Sequence, residues 1–479
     1  MPARQLLPIL VLLSSPTTAQ PPAVTLPDEA PAQAVHDERP DDAPIVVPRE
    51  ARVTSPARIW RRGAAASVQV NVDENGDNIV GDAANEPSIA VDLNNSNRIA
   101  IGWRQFDTIT SNFRQAGWGY TDDGGQSWSV SVIEPGIFRS DPVLDSDADG
   151  NFYYNSLGVP GGDFVCDVFR SADGGATWDG GVFANGGDKQ WMAIDRTGGL
   201  GSGHIYSNWS QFASCCGPNS FTRSTDGGDS YETPISIPTQ PVWGTTAVGP
   251  TGEVYVAGND GGSISVIKST TLRDPGLAPA FDSNLTVDLG GTAGAFGGPN
   301  PGGLVGQVWV AVDSGLGPRS GWVYVLMSVD PPGADPLDVH LVRSEDGGAT
   351  WSAPIRINDD PAGSNTWQWF GTLAVAPNGR LDAIWNDTRD DPGGFDSVLY
   401  YSFSEDGGVT WSANEPVSPS FDPHLGWPQQ NKIGDYYDMV SENDAVHVAY
   451  SATFNGEQDV YYLRLRDPGP IFEDGFESG

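Results

Sequence analysis

Short runs of alternating apolar and polar residues fill most of the chain. A period of two reads as strands with one face buried. Gly-rich turns separate the runs and helix signals are few, so the predicted fold class is all-β. Runs at 88–92, 98–103, 117–121 and 128–133 make a first antiparallel quartet. Similar quartets follow, with first strands near Pro142, Trp191, Thr245, Val308 and Leu373. A last set, at 433–440, 445–450 and 460–465, has three strands. The unused run 67–72 (SVQVNV) precedes the first quartet and can supply the missing fourth.

An eight-residue turn recurs between third and fourth strands. It reads TDDGGQSW at 121–128, SADGGATW at 171–178, STDGGDSY at 224–231, SEDGGATW at 344–351 and SEDGGVTW at 404–411. Its Asp falls at 123, 173, 226, 346 and 406, with gaps of 50, 53, 120 and 60. The doubled gap predicts a degenerate copy, placed at Ser269-Thr270-Thr271. Ser/Thr and Asp oxygens can accept N–H bonds inside such a turn. The Gly pair permits positive φ, and the closing Trp or Tyr can bury its ring against a neighbouring sheet. The motif is a hairpin staple and not a catalytic site.

The pattern resembles the Asp-box, the bacterial neuraminidase repeat of the sialidase-like β-propeller superfamily, over 67–466. The resemblance implies a β-propeller of four-stranded antiparallel blades. Seven blades are favoured, with the ring closed by the N-terminal strand, because about 57 residues per blade match the observed gaps. Six blades are the alternative. The resemblance also implies action on glycans, as a glycoside hydrolase of exo-sialidase type with an atypical site. The other reading is a non-catalytic carbohydrate- or protein-binding propeller.

The ends read differently. Arg4, the apolar run 6–13 and Thr17-Thr18-Ala19 make residues 1–19 a secretory signal peptide. Residues 20–66 read as a disordered Pro/Ala-rich linker, and 467–479 as a C-terminal tail. The predicted location is therefore extracellular or periplasmic, and the predicted state a soluble monomer. A net charge of −37 excludes a nucleic-acid partner and an anionic membrane surface. Signal peptide, linker and tail together hold 11 acidic and 7 basic residues, leaving 51 and 18 on the ring, so the acidity belongs to the folded part.

Candidate chemistry maps to the face opposite the staples, where first strands start and second strands end. A sialidase resemblance implies three arginines clamping a carboxylate, a Tyr nucleophile assisted by Glu, and an Asp acid/base. The family's Arg-Ile-Pro motif is missing, and Glu86-Pro87-Ser88-Ile89 stands there instead. A substitute kit would use Glu86, Tyr436 and Asp141 as catalytic groups, with Arg104, Arg139 and Arg389 as the clamp. Asp188, Trp191, Trp369 and Asp387 complete the candidate substrate-binding set, since carboxylates bond sugar hydroxyls and indoles stack on sugar faces. A generic glycosidase would choose two carboxyls from Glu86, Asp141, Asp188, Asp387 and Asp435. No cofactor is required. Asp145, Asp147 and Asp149 have DxDxDG spacing and could hold a structural calcium, although position twelve is Ser156 and not Glu. Of three cysteines, Cys166 is expected to bond Cys215 or Cys216, or those two to form a vicinal bridge.

Overall fold

The computed structural model describes residues 42–63, 65–294 and 296–465. The predicted signal peptide, most of the linker and the tail lie outside them. The described chain is a seven-bladed β-propeller, as the strand pattern predicts. Its only helical turns there are Arg49–Ala51 and Pro160–Gly162, and no described helix is long and apolar enough to cross a membrane.

Blade one contains Ala83–Val91, Ile99–Phe106, Gln115–Thr121 and Ser129–Ile133, paired in that order. Blades two, four, five and six repeat this meander. Their innermost strands are Ser140–Ser146, Thr246–Val248, Trp309–Val312 and Gln368–Val375. Blade three keeps three strands, Trp191–Ile194, Ile205–Asn208 and Phe221–Ser224, with a single bridge from Phe221 to Ile235 where the fourth would run. Blade seven is made of Asp438–Ser441, Val446–Ala452 and Asp459–Leu465, and Ala65–Gln69 pairs with the last of these. Ile59–Arg62 pairs in turn with Ala65–Gln69, and Val53–Pro56 pairs with Asp77–Val80. The stretch 53–62, expected in the linker, is thus strand. Trp60 packs on the apolar cluster between blades six and seven, a long-range contact that local Pro and Ala content conceals.

Middle strands are buried on both faces because blades stack face to face; Val323–Val329 is buried throughout. The five staples share one set of bonds. In the first, Thr121 Oγ1 donates to Asp123 (2.6 Å) and accepts Gly125 N–H (3.1 Å), while Asp123 accepts both the N–H and the hydroxyl of Ser127. The same bonds recur at 171–177, 224–230, 344–350 and 404–410. Both glycines take positive φ, and a Cβ on Gly125 would enter the Tyr462 ring. The closing rings lie against other sheets: Trp128 on Tyr462 (5.4 Å), Trp178 on Trp118 (6.1 Å). The degenerate copy sits between the third and fourth strands of blade four, where Ser269 Oγ accepts Leu272 N–H and Thr271 stands where the other copies have Asp.

Candidate functional site

An antiparallel meander puts the staples at the end of each first strand, so the start of that strand lies on the opposite face. There the chain repeats a distortion. Glu86 (φ 51°), Asp141 (46°), Lys189 (54°), Trp243 (56°) and Phe370 (59°) are all left-handed, and none is glycine. The ladder slips at three of these places, between Asn85 and Ser88, Ser140 and Val143, and Trp369 and Thr372. Each such residue costs about 1–2 kcal/mol, so its surroundings must hold it. Asp438 accepts Ile89 N–H just as Ser88 accepts Leu144 N–H, which puts Tyr436 of blade seven at the position of Glu86 in blade one.

The result is a buried charge cluster drawn from four blades. Lys189 Nζ lies 2.5 Å from Asp435, 3.0 Å from Asp141, 3.7 Å from Asp188 and 4.0 Å from Glu86. Lys432 Nζ lies 2.7 Å from Asp435 and 3.5 Å from Glu86. Arg104 approaches Glu86 at 3.3 Å and donates to Asn85 at 2.8 Å. Each of these charged residues is at least nine-tenths buried. Burial pushes the Glu86 carboxyl well above the ordinary range, against the pull of Arg104 and the two lysines. Burial also pushes the Tyr436 phenol well up, and the charges of Glu86 and Asp141 push it further. Its hydroxyl donates to Pro142 O at 2.8 Å.

A hairpin, Phe296–Gly297 with Asn300–Leu304, reaches this cluster from the connection between blades four and five. Asn300 bonds Gly434 O and Ile433 N, and Leu304 N donates to Asp435 at 2.8 Å. Beside the cluster, Trp191 packs edge-on between Trp309 (5.1 Å) and Tyr436 (5.6 Å).

The structure therefore gathers Glu86, Asp141, Tyr436, Arg104 and Asp188, and separates the rest of the candidate set. Arg139 pairs with Glu134 and Asp167, both at 2.6 Å. Arg389 pairs with Asp387 at 2.8 Å and Asp359 at 2.6 Å. The three arginines share no partner in these pairs and form no clamp, because Arg104 is held by Glu86 on the adjacent strand and Arg139 and Arg389 by carboxylates of their own segments, Glu134 and Asp387. Asp387 is occupied by Arg389, Gln368 and Trp385 Nε1. Trp191 and Trp369 are 6% and 0% exposed, so neither offers a stacking face; Trp369 Nε1 bonds Ser397. Asp145 pairs with Arg196, while Asp147 closes its own hairpin by accepting Asp149 N–H and Asn151 N–H. Among the described residues no group of three or more His, Cys, Asp or Glu is arranged to hold a metal ion. Cys215 and Cys216 form the vicinal disulfide and Cys166 is a buried free thiol.

Asp435, a candidate carboxyl, joins the cluster, and Lys189 and Lys432, which are outside the candidate catalytic and binding set, organise it. A signal existed: lysine occurs three times in the chain, at 189, 268 and 432, and two of these flank first strands.

No family model matches the chain, and no curated protein matches it in sequence. Solved structures resembling it include the phage phi92 endosialidase, at 9% identity over 87% of this chain and 71% of that one, with a TM-score of 0.46. The NanB sialidase of Streptococcus pneumoniae matches at 12% identity over 83% and 70%, with a TM-score of 0.41. YCF48 bound to a D1 peptide matches at 13% identity over 88% and 99%, with a TM-score of 0.44. These likenesses concern shape and carry nothing about chemistry.

Proposed function

We propose that the protein is a secreted, non-catalytic β-propeller that binds carbohydrate on the face opposite its staples. One observation carries the non-catalytic part: an ammonium stands where a scissile bond would have to lie. Glu86 and Asp141 are 4.0 and 3.0 Å from Lys189 Nζ, so those oxygens are at most about 7 Å apart. That spacing is within reach of glycosidase geometry, about 5–9.5 Å. Here the space between them holds a lysine head in place of a sugar. Tyr436 also lacks the character of a nucleophile, since burial, with Glu86 and Asp141, raises its phenol and its proton is committed to Pro142 O.

Carbohydrate is favoured by half-exposed rings on that face. Trp367, Phe395, His424 and Trp427 follow one another at 6.4, 5.0 and 5.1 Å. Asp391, Asp396 and Asp422 interleave with them and can accept sugar hydroxyls. A glycan array combined with turnover assays on the bound glycans tests the reading. Binding without product is expected, with affinity falling about tenfold, ~1.4 kcal/mol, in Trp367→Ala or Trp427→Ala. Product release would sink the non-catalytic part, and absence of any glycan binding would sink the carbohydrate part.

A second reading, an atypical exo-sialidase, is favoured by the meeting of Glu86, Asp141 and Tyr436 at one point. It requires sialoside turnover that Glu86→Gln abolishes.

A further inference from the structure

A cleft of about 470 Å³ opens at the rim and shares no lining residue with the charge cluster. Blade six forms one wall through Tyr401, Phe403, Glu415 and Val417, and blade seven forms the other through Arg62 and Leu465. The rings of Tyr401 and Phe403 stack at 6.0 Å, and Val417 and Leu465 are buried, so the floor is apolar. Arg62 and Glu415 are exposed at its lips. This size lies within the range of ligand pockets, about 300–1,000 Å³.

We propose that this cleft seats the chain's own C-terminal tail, residues 467–479, with Phe472 on the apolar floor. Three observations select this occupant. Leu465, the last described residue, is itself part of the wall, so the described chain ends at the cleft. Pro468-Gly469-Pro470 is a turn sequence, of the kind that can return a chain toward the fold it leaves. Phe472 lies seven residues beyond Leu465, a reach of at most about 25 Å, which keeps it near the rim. The tail also carries Glu473, Asp474 and Glu477 and no basic residue beyond 466, which suits the Arg62 lip.

The edge of blade six explains why the tail docks by side chains. Its outer strand is only Glu415–Pro416, and a proline there removes the N–H that an added strand would need. A pocketed ring with flanking charge pairs is the mode left to an incoming segment. The inference is independent of the carbohydrate reading, since the cleft lies on the outer edges of the blades and not at the strand starts.

The test uses the full chain and its Phe472→Ser/Phe476→Ser variant. Hydrogen exchange at 399–403 and 415–417 should quicken about tenfold in the variant as the cleft is uncovered. A synthetic peptide of residues 467–479 should bind the variant and not the parent, whose cleft is filled. Adding the exposed-site change Arg62→Glu to the variant should weaken peptide binding at least about fivefold without altering the far-UV spectrum. Equal exchange in parent and variant, or equal peptide binding to both, would overturn the proposal. So would a concentration-dependent dimer by sedimentation whose exchange protection covers the same segments, because a second copy would then be the occupant.

Discussion

Replacing Lys189 with methionine removes an ammonium that faces four carboxylates, at 2.5, 3.0, 3.7 and 4.0 Å. Arg104 still faces Glu86, and Lys432 still faces Glu86 and Asp435, but each carboxylate loses the ammonium at the centre of the cluster. Breaking a buried pair by deleting one partner costs about 3–5 kcal/mol. For a ring of about 400 residues, the unfolding entropy is roughly 2.1 cal/mol/K per residue, so Tm should fall by about 4–6 °C. Lys268→Met is the control. That amine is half-buried and makes one hydrogen bond, to Gly347 O at 2.8 Å, beside the Tyr255 ring. Its loss should cost about 1 kcal/mol, or roughly 1 °C. The double variant Lys189→Met/Asp435→Asn should recover part of the loss, because it removes a carboxylate stranded by the first change. Calorimetry at pH 7 measures all three. A Lys189→Met Tm no lower than that of Lys268→Met would refute the reading of the cluster as a clamp. An increase would go further, since residues kept for chemistry at the expense of stability often stabilise a protein when replaced.

The acids predict a stability maximum near pH 4. Burial pushes Asp438 up to about 7 and Asp459 up to about 8, so their contributions are full below about 4 and are lost as pH rises through those values. In the staples, Thr350 holds Asp346 down at about 2; for Asp406, burial is outweighed by Thr410 and the result is also about 2, so both contributions are lost as pH falls from about 4. Denaturant unfolding from pH 2 to 9 should show both limbs, and a flat profile between pH 5 and 8 would contradict the upper one. Asp406→Asn should flatten part of the acid limb and lower stability at pH 7 by about 1–2 kcal/mol. Iodoacetamide should leave the native protein unlabelled and add one group after unfolding, because Cys166 is buried with its thiol pushed up and the other two cysteines are bonded to each other.

The ring was readable because its staple is local chemistry. Thr121, Asp123, Gly125 and Ser127 find one another within a single turn, so their spacing alone discloses the hairpin. The degenerate copy at 269 follows from its neighbours' spacing, whereas blade three's lost fourth strand has no local mark, because Ile235 reveals itself only by pairing with Phe221. The cluster is the opposite case. Lys189 and Lys432 come from separate blades, and nothing local to either says that both will meet Asp435 and Glu86. Arginine partners were equally hidden. Arg139 had Glu134 five residues away and Arg389 had Asp387 two residues away, and these near carboxylates won over a shared ligand site.

The placement of the lysines gives the folded molecule an unexpected handle. With two of its three amines locked in ion pairs beside the axis, an amine-reactive linker meets only Lys268 among the lysine side chains outside that cluster. That nitrogen sits on the staple face, against the turn at Gly347. A surface coupled through that lysine would hold the molecule by its staple face, turning the ring-bearing face of blades six and seven outward for whatever is offered to it.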